Sequence, residues 1–142
     1  MIWILVLLGA VSARLGFTYG VDNIPHPSKV KKGGEDAWLA QRDLIVVADG
    51  VSAWVKVGVD SGLFSKRLVS DIYLNHQRYK SRELKYIIRD STNENVYPGS
   101  STLVLAKLVD DHLHSAIVGD SAYILYRPSP LGTLNKLYRS PD

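Results

Sequence analysis

Cysteine is absent from the chain, which excludes a disulfide framework and a thiolate metal site. The sequence also lacks a Gly-x-Ser-x-Gly nucleophile elbow, so a serine hydrolase of the α/β type is disfavoured. The stretch at 99–102 (GSST) lacks the Gly-Lys-Ser/Thr ending of a nucleotide-binding P-loop.

A strong charge of one sign is absent as well. The formal net charge is +3, and the densest basic stretch holds only Lys29, Lys31 and Lys32. No basic run interleaved with aromatic residues stands out in the sequence, so we predict no nucleic-acid partner. Hydrophobic residues make up 46% of the 142 residues, which suits one globular domain with a buried core.

A long apolar run occurs only at residues 2–11 (IWILVLLGAV). It is short for a transmembrane helix but suits the core of a signal peptide, with small residues at Val11-Ser12-Ala13 where cleavage would fall. A buried strand is the alternative, because short apolar runs are ambiguous by period alone. We treat residues 1–14 as a hydrophobic N-terminal segment, a signal peptide or an anchor, and expect a secretory or membrane-associated location.

The rest of the chain predicts an α+β fold with a largely antiparallel sheet and helices on one face. Apolar runs at 37–41 and 44–48 flank Arg42-Asp43 and predict a hairpin, whose second strand should be buried on both faces. One helix should begin at Asp60 or Ser61 and another at Ser81. Further strands are predicted at 15–21, 101–108, 112–118, 122–126 and 134–138.

Acidic residues fall at the ends of the predicted strands. Glu35-Asp36 precedes the first hairpin strand and Asp49 ends the second, so the hairpin brings them to the same end of the sheet. Such carboxylates repel one another unless a cation neutralises them, and an all-oxygen cluster suits Mg²⁺ or Mn²⁺. Asp120 is a fourth acidic residue at a strand end. Each of these residues alone also fits an ordinary solvated turn.

Histidines are weaker candidates for ligands. His26 lies before Pro27 in a loop, where a histidine is more often merely exposed. His112 and His114 alternate along one predicted strand, an arrangement seen in metal sites, but we favour a surface strand because no third ligand lies beside them.

Five motifs in order resemble the metal-dependent type 2C protein phosphatases. The segment with Trp54 and Gly58 resembles the branch of that family that includes mitochondrial phosphatases. The resemblance extends from Leu15 onward and implies a partial phosphatase domain at 15–142, an incomplete four-layer αββα sandwich with antiparallel sheets. The motifs are GGEDA (33–37), VADGV (47–51), GVDSGLFS (58–65), GSSTLVLA (99–106) and VGDS (118–121).

The resemblance also implies an activity, the hydrolysis of phosphoserine and phosphothreonine in proteins with two Mg²⁺ or Mn²⁺ ions. Asp49 would bridge the metals as the catalytic residue, with the Gly50 carbonyl on one of them. Asp36 would be a direct or water-mediated ligand, Glu35 would hold metal-bound water, and Asp120 would lie in the outer shell or bind an additional metal. The ions would lower the pKa of a bridging water, which attacks phosphorus. The partner would be a phosphoprotein, the chain a monomer, and a mitochondrial location the alternative.

Three departures from the family pattern matter. Lys31 and Lys32 stand where many members carry an arginine that clamps phosphate, and lysine cannot form the bidentate fork. Val51 replaces a histidine that could act as a general acid. The chain ends at Asp142, before the later aspartates that complete the two-metal site in relatives. A non-catalytic phosphatase-like interaction protein and a gene fragment are therefore the alternatives.

Overall fold

The computed structural model describes residues 15–141, and the prediction for residues 1–14 lies outside this range. The fold is α+β, as predicted. In the described range, no helix has both the length and the apolar character needed to cross a membrane. The elements are the 3₁₀ helices Pro27–Lys32 and Ser52–Val57, the helices α1 (Ser61–Arg78) and α2 (Leu84–Asn93), and the strands β1 (Asp36–Ala40), β2 (Leu44–Asp49), β3 (Leu103–Val109), β4 (His112–Val118), β5 (Ile124–Pro128) and β6 (Leu134–Arg139).

Four strands form one antiparallel sheet in the order β1-β2-β3-β4. The β1–β2 hairpin turns at Arg42-Asp43 as predicted, and β3 and β4 are joined at Asp110-Asp111, where Asp110 adopts a left-handed φ of 54°. Strands β5 and β6 pair only with each other. Gly119 and Asp120 lie in the segment that connects the two sheets, since β4 and β5 do not pair with each other.

Both helices pack on one face of the four-stranded sheet, as predicted. Leu44 and Val46 of β2 point to this face and are fully buried, together with Leu105 of β3. Their partners on the helices include Ile72 of α1 and Ile87 of α2. The core is therefore a single helix–sheet interface, whose stability comes from apolar area removed from water.

The opposite face of the sheet is open, so the prediction that β2 is buried on both faces is wrong. Val47 of β2 is 46% exposed and Trp38 of β1 is 47% exposed. Successive residues of a strand point to opposite faces, and in the described range the helices cover only one of them. A cavity of about 710 Å³ lies over the open face and is lined by Trp38, Val47 and Phe17 among others.

Helix boundaries follow the capping residues. Asp60 caps α1, and its Oδ1 accepts a hydrogen bond from the Gly62 amide at 3.1 Å. The second helix begins at Leu84 rather than at the predicted Ser81, because Glu83 still has extended backbone angles. The segment at 15–21, predicted as a strand, forms none, although the Phe17 amide donates to the Arg42 carbonyl at 2.8 Å.

Candidate metal centre

Two aspartates meet at the open end of the β1–β2 hairpin. Asp36 is the first residue of β1 and Asp49 the last of β2, and the antiparallel register pairs them directly. Side chains opposite each other in such a ladder have Cβ atoms about 5 Å apart, so the two carboxyl groups face each other. The structure thus brings together two of the predicted ligands.

The pKa of Asp49 is raised above its ordinary value of 3.8. Asp49 is an exposed residue overall, yet loss of water around its carboxyl group is the first cause. The facing Asp36 is the second, through its charge and through a hydrogen bond between the side chains. The charges of Asp120 and Glu35 add smaller contributions. Three acidic residues therefore act on the Asp49 carboxyl group, and Asp36 has the largest effect of the three.

Gly50 follows Asp49 in a position that excludes any side chain. A Cβ atom there would lie 2.7 Å from the Glu35 carbonyl oxygen and 2.9 Å from that of Ser61. The Gly50 amide donates to the Glu35 carbonyl at 3.3 Å. Glycine is therefore required because three backbone segments converge here, the loop before β1, the end of β2 and the start of α1.

Glu35 is anchored away from the aspartate pair. Its carboxylate forms an ion pair with Lys29 and accepts a hydrogen bond from Ser61 Oγ at 3.0 Å. Its backbone carbonyl accepts from Ser65 Oγ. The N-terminal turn of α1 thus fixes Glu35 from both ends, which leaves it beside the aspartates rather than between them.

The Ser101-Thr102 segment fixes the end of β2 from the other side. Ser101 Oγ and the Thr102 amide both donate to the Asp49 carbonyl, each at 2.9 Å. Thr102 Oγ1 also accepts from the Asp49 amide at 3.3 Å and lies 2.6 Å from Ser121 Oγ, next to Asp120. Thr102 is therefore a supporting residue that sequence reasoning did not single out. Its signals in the sequence are its places in the GSST stretch and in the GSSTLVLA motif.

These residues surround an open cavity of about 520 Å³. Its lining combines carboxylates, hydroxyl groups and one lysine, and all of the predicted metal ligands take part in it. Val51 and His26 also line it. The lining residues are His26, Lys29, Glu35, Asp36, Asp49, Gly50, Val51, Ser52, Thr102 and Asp120.

The donor chemistry of this cavity fits a hard divalent cation, whereas the number of converging ligands falls short. Among residues 15–141 no three His, Asp or Glu side chains are close enough together to hold a metal ion. The facing pair Asp36 and Asp49 supplies two carboxylates, and Mg²⁺ requires about six oxygens. Water, backbone carbonyls and substrate oxygens would have to supply the rest.

The basic residues are placed differently from each other. Lys29 lines the acidic cavity, while Lys32 Nζ pairs with Asp60 Oδ2 at 3.1 Å in a neighbouring cleft. Lys31 is exposed and lines neither. The 3₁₀ helix explains this division, because its three-residue turn puts Lys29 and Lys32 on one side and Lys31 on another. The lysine that lines the acidic cavity is therefore Lys29, which sequence reasoning had not assigned to phosphate.

The remaining histidine candidates lie on the surface. His112 pairs with its neighbour Asp111 at 2.6 Å, and both side chains are largely exposed, as is His114. His26 Nδ1 lies 2.8 Å from Ser28 Oγ and caps the first 3₁₀ helix. The interpretation of β4 as a surface strand is confirmed.

Comparison with known proteins decides the family. The chain is 35% identical over 109 residues to probable protein phosphatase 2C 80 of Arabidopsis thaliana, which covers 73% of this chain and 26% of that protein. It is 36% identical over 122 residues to probable protein phosphatase 2C 26 of the same plant, covering 80% of this chain and 40% of that protein. The chain belongs to the protein phosphatase 2C family.

A solved structure of the family agrees with the fold. The photosystem II phosphatase PBCP superposes with a TM-score of 0.71 at 26% identity, over 83% of this chain and 47% of that chain. The protein phosphatase PTC7 homolog fig of Drosophila grimshawi is 35% identical over 113 residues, covering 70% of this chain and 36% of that protein. No family model matches the chain. The chain spans about a quarter of the first 2C relative and less than half of the others described.

Proposed function

We propose that this chain carries part of the active centre of a protein serine/threonine phosphatase that depends on Mg²⁺ or Mn²⁺. The observation that carries the proposal is that Asp36 and Asp49 face each other. The negative charges of Glu35 and Asp120 also act on the Asp49 carboxyl group. A site that gathers negative charge at this density gains most from a divalent cation. Membership in the 2C family supports the same conclusion.

The residues divide into ligands and supports. Asp36, Asp49 and the Gly50 carbonyl would hold the metal, while Glu35, fixed by Lys29 and Ser61, would orient water beside it. Asp120 would act from the outer shell. Ser101 and Thr102 hold the Asp49 backbone, so the carboxylate is positioned before a cation arrives.

When bound, the ions would supply activation of water and offset charge on the phosphoryl oxygens. Lys29 lines the same cavity and would add a positive charge for the phosphate group, as a point charge rather than a bidentate fork. Val51 offers no proton at the position where many relatives have histidine. The leaving seryl or threonyl oxygen would therefore take its proton from water.

A phosphoprotein substrate follows from the names of the relatives, which are protein phosphatases. A monomeric state stays a prediction, as do the secretory and mitochondrial locations. The non-catalytic alternative is a phosphatase-like protein that keeps this half of the site and binds a partner.

Phosphate release from a phosphothreonine peptide in the presence of Mn²⁺ tests the proposal. We expect phosphate release from the wild type. Both a metal chelator and the substitution Asp49→Asn should abolish it. Asp111→Asn should leave it unchanged, because Asp111 lies in the β3–β4 turn at the other end of the sheet. A folded chain that binds Mn²⁺ but releases no phosphate would restrict the proposal to metal binding. A folded chain that binds no Mn²⁺ would favour the non-catalytic alternative.

A further inference from the structure

A basic and aromatic surface surrounds the turn between α1 and α2, at the end of the fold opposite the acidic cavity. We call it the α1–α2 patch. Residues 78–90 contain five basic and two acidic side chains, hence a net charge of +3, which equals the formal net charge of the whole chain. Our sequence-level interpretation, which found no basic run interleaved with aromatics, is wrong for this stretch. The patch consists of Arg78, Tyr79, Lys80, Arg82, Lys85, Tyr86 and Arg89.

Four of the five cations of the patch lie over the rings of its two tyrosines. The Arg82 guanidinium lies 5.0 Å from the Tyr79 ring centroid and 5.7 Å from that of Tyr86. Lys85 and Arg89 approach the Tyr86 ring at 4.9 Å and 5.1 Å. Bases of single-stranded nucleic acid need free aromatic faces for stacking, whereas here the protein's own cations cover the rings. The arrangement favours a surface that presents many anionic groups.

The turn that carries the patch is held in place by buried polar contacts. Lys107 of β3 is 4% exposed, and its Nζ donates to the carbonyls of Lys80 and Arg82. His76, which is 1% exposed, lies with Nε2 3.1 Å from Asp43 Oδ2 of the β1–β2 turn. The patch is therefore presented in a defined geometry and does not depend on a disordered tail.

The start of the described chain lies at the same end of the fold. The Phe17 amide donates to the carbonyl of Arg42, whose neighbour Asp43 contacts His76, two residues before the patch begins. The apolar run at residues 2–11 precedes this point in the sequence. A cluster of basic residues by itself gives a reversible membrane contact that depends on anionic lipid.

We propose that the α1–α2 patch docks this end of the fold on an anionic lipid surface. The patch would bind phosphate and carboxylate groups of lipid headgroups through its guanidinium and ammonium groups. Helix α1 has 18 residues and so separates the patch from the acidic cavity by about 27 Å. The acidic cavity then faces away from the lipid surface, so its carboxylates are not repelled by the anionic headgroups. This inference does not depend on catalysis.

Sedimentation of the full chain with lipid vesicles tests the inference. We expect binding to phosphatidylcholine vesicles that contain phosphatidylserine to exceed binding to phosphatidylcholine alone and to weaken as salt is raised. The triple variant Arg78→Gln, Lys80→Gln, Lys85→Gln spares Arg82 and Arg89, which both pair with Asp90. At about 1 kcal/mol for each basic residue, it should bind the anionic vesicles on the order of 100-fold more weakly.

A matched variant with Lys56, Arg127 and Lys136 changed to Gln removes the same charge outside the patch and should lose far less binding. Equal binding of wild type and the patch variant to anionic vesicles overturns the inference, as does binding that ignores phosphatidylserine. Tight binding to a polyuridine oligonucleotide without vesicle binding also overturns it and assigns the patch to nucleic acid. The salt dependence of the wild type provides a test that needs no variant, and thermal unfolding of each variant verifies that it is folded.

Discussion

Asp36 and Asp49 lie directly opposite each other at the end of the β1–β2 hairpin, so the fold holds two like charges against each other. Like charges in directly opposed positions of a ladder destabilise it. The pKa of Asp49 is raised, which means that the folded state disfavours its ionised form. The pair is thus unfavourable for the stability of the metal-free chain, and a cation between the two carboxylates would reverse that effect.

Replacing Asp49 by Asn should therefore stabilise the metal-free chain and weaken its response to metal. We expect the free energy of unfolding in chelator to rise by about 0.5 kcal/mol, because one of the opposed charges is removed. Mn²⁺ at 100 times its Kd should add about 2.7 kcal/mol to the wild type and much less to Asp49→Asn. Thermal unfolding with and without Mn²⁺ measures both. A variant that is less stable without metal would contradict the repulsion.

The stability gain should depend on pH with a definite sign. Below 3.8, the ordinary pKa of this carboxyl group, Asp49 is protonated in both states and costs the folded state nothing. As the pH rises through the raised folded pKa, the wild type loses stability that the Asn variant keeps. The difference between the two, measured in chelator, should be larger at neutral pH than near pH 4. Asp36→Asn should show the same trend, and the double variant should gain less than the sum of the two.

The hairpin that creates this pair could be predicted from the sequence. Two apolar runs around Arg42-Asp43 determine which end of the sheet receives Asp36 and Asp49, since antiparallel strands bring their outer ends together. The side-chain direction of Glu35 could not be predicted, because it depends on Ser61 and Lys29, which approach from elements on either side of it.

Three other features of the structure could not be predicted from the sequence, each for a physical reason. The distinction between Lys29 and Lys31 depends on a short 3₁₀ helix, whose three-residue turn has no strong sequence signal. The α1–α2 patch combines residues from the end of one helix, a turn and the next helix. Its charges are spread over residues 78–89 in sequence, and Lys107 helps to fix the turn that brings them together. Burial of β2 on both faces was predicted from its apolar run alone, which does not say what covers the second face.

Substitution of Gly50 should test how tightly the three backbone segments converge. An alanine Cβ would lie 2.7 Å from the Glu35 carbonyl oxygen and 2.9 Å from that of Ser61, and both are backbone atoms that cannot rotate away. We expect Gly50→Ala to lower the free energy of unfolding by about 1–3 kcal/mol, as overpacking typically does. Gly20→Ala is the matched control, since nothing lies within 4 Å of its Cβ position. Urea unfolding curves compare them, and equal midpoints would show that the contact relaxes freely.

Lys29 and Lys31 should differ in their effect on metal binding even though they are two residues apart. Lys29 lines the acidic cavity and pairs with Glu35, so its positive charge opposes a cation in that cavity. Lys29→Ala should therefore bind Mn²⁺ about threefold more tightly, which corresponds to loss of a solvent-screened repulsion of about 0.6 kcal/mol. Lys31→Ala should bind Mn²⁺ as the wild type does, because Lys31 is exposed and outside the cavity lining.

The same substitution should weaken binding of an anion, and this opposite sign separates a charge effect from a general loss of structure. Inorganic phosphate, titrated into the Mn²⁺-loaded protein by calorimetry, should bind several-fold more weakly to Lys29→Ala, because a cation facing the cavity is lost. Both effects should shrink as ionic strength rises. Two results would contradict a charge effect: equal changes in Mn²⁺ and phosphate affinity in the Lys29 and Lys31 variants, or a loss of Mn²⁺ affinity in Lys29→Ala. Either would mean that Lys29 holds Glu35 in position and does not act on the site through its charge.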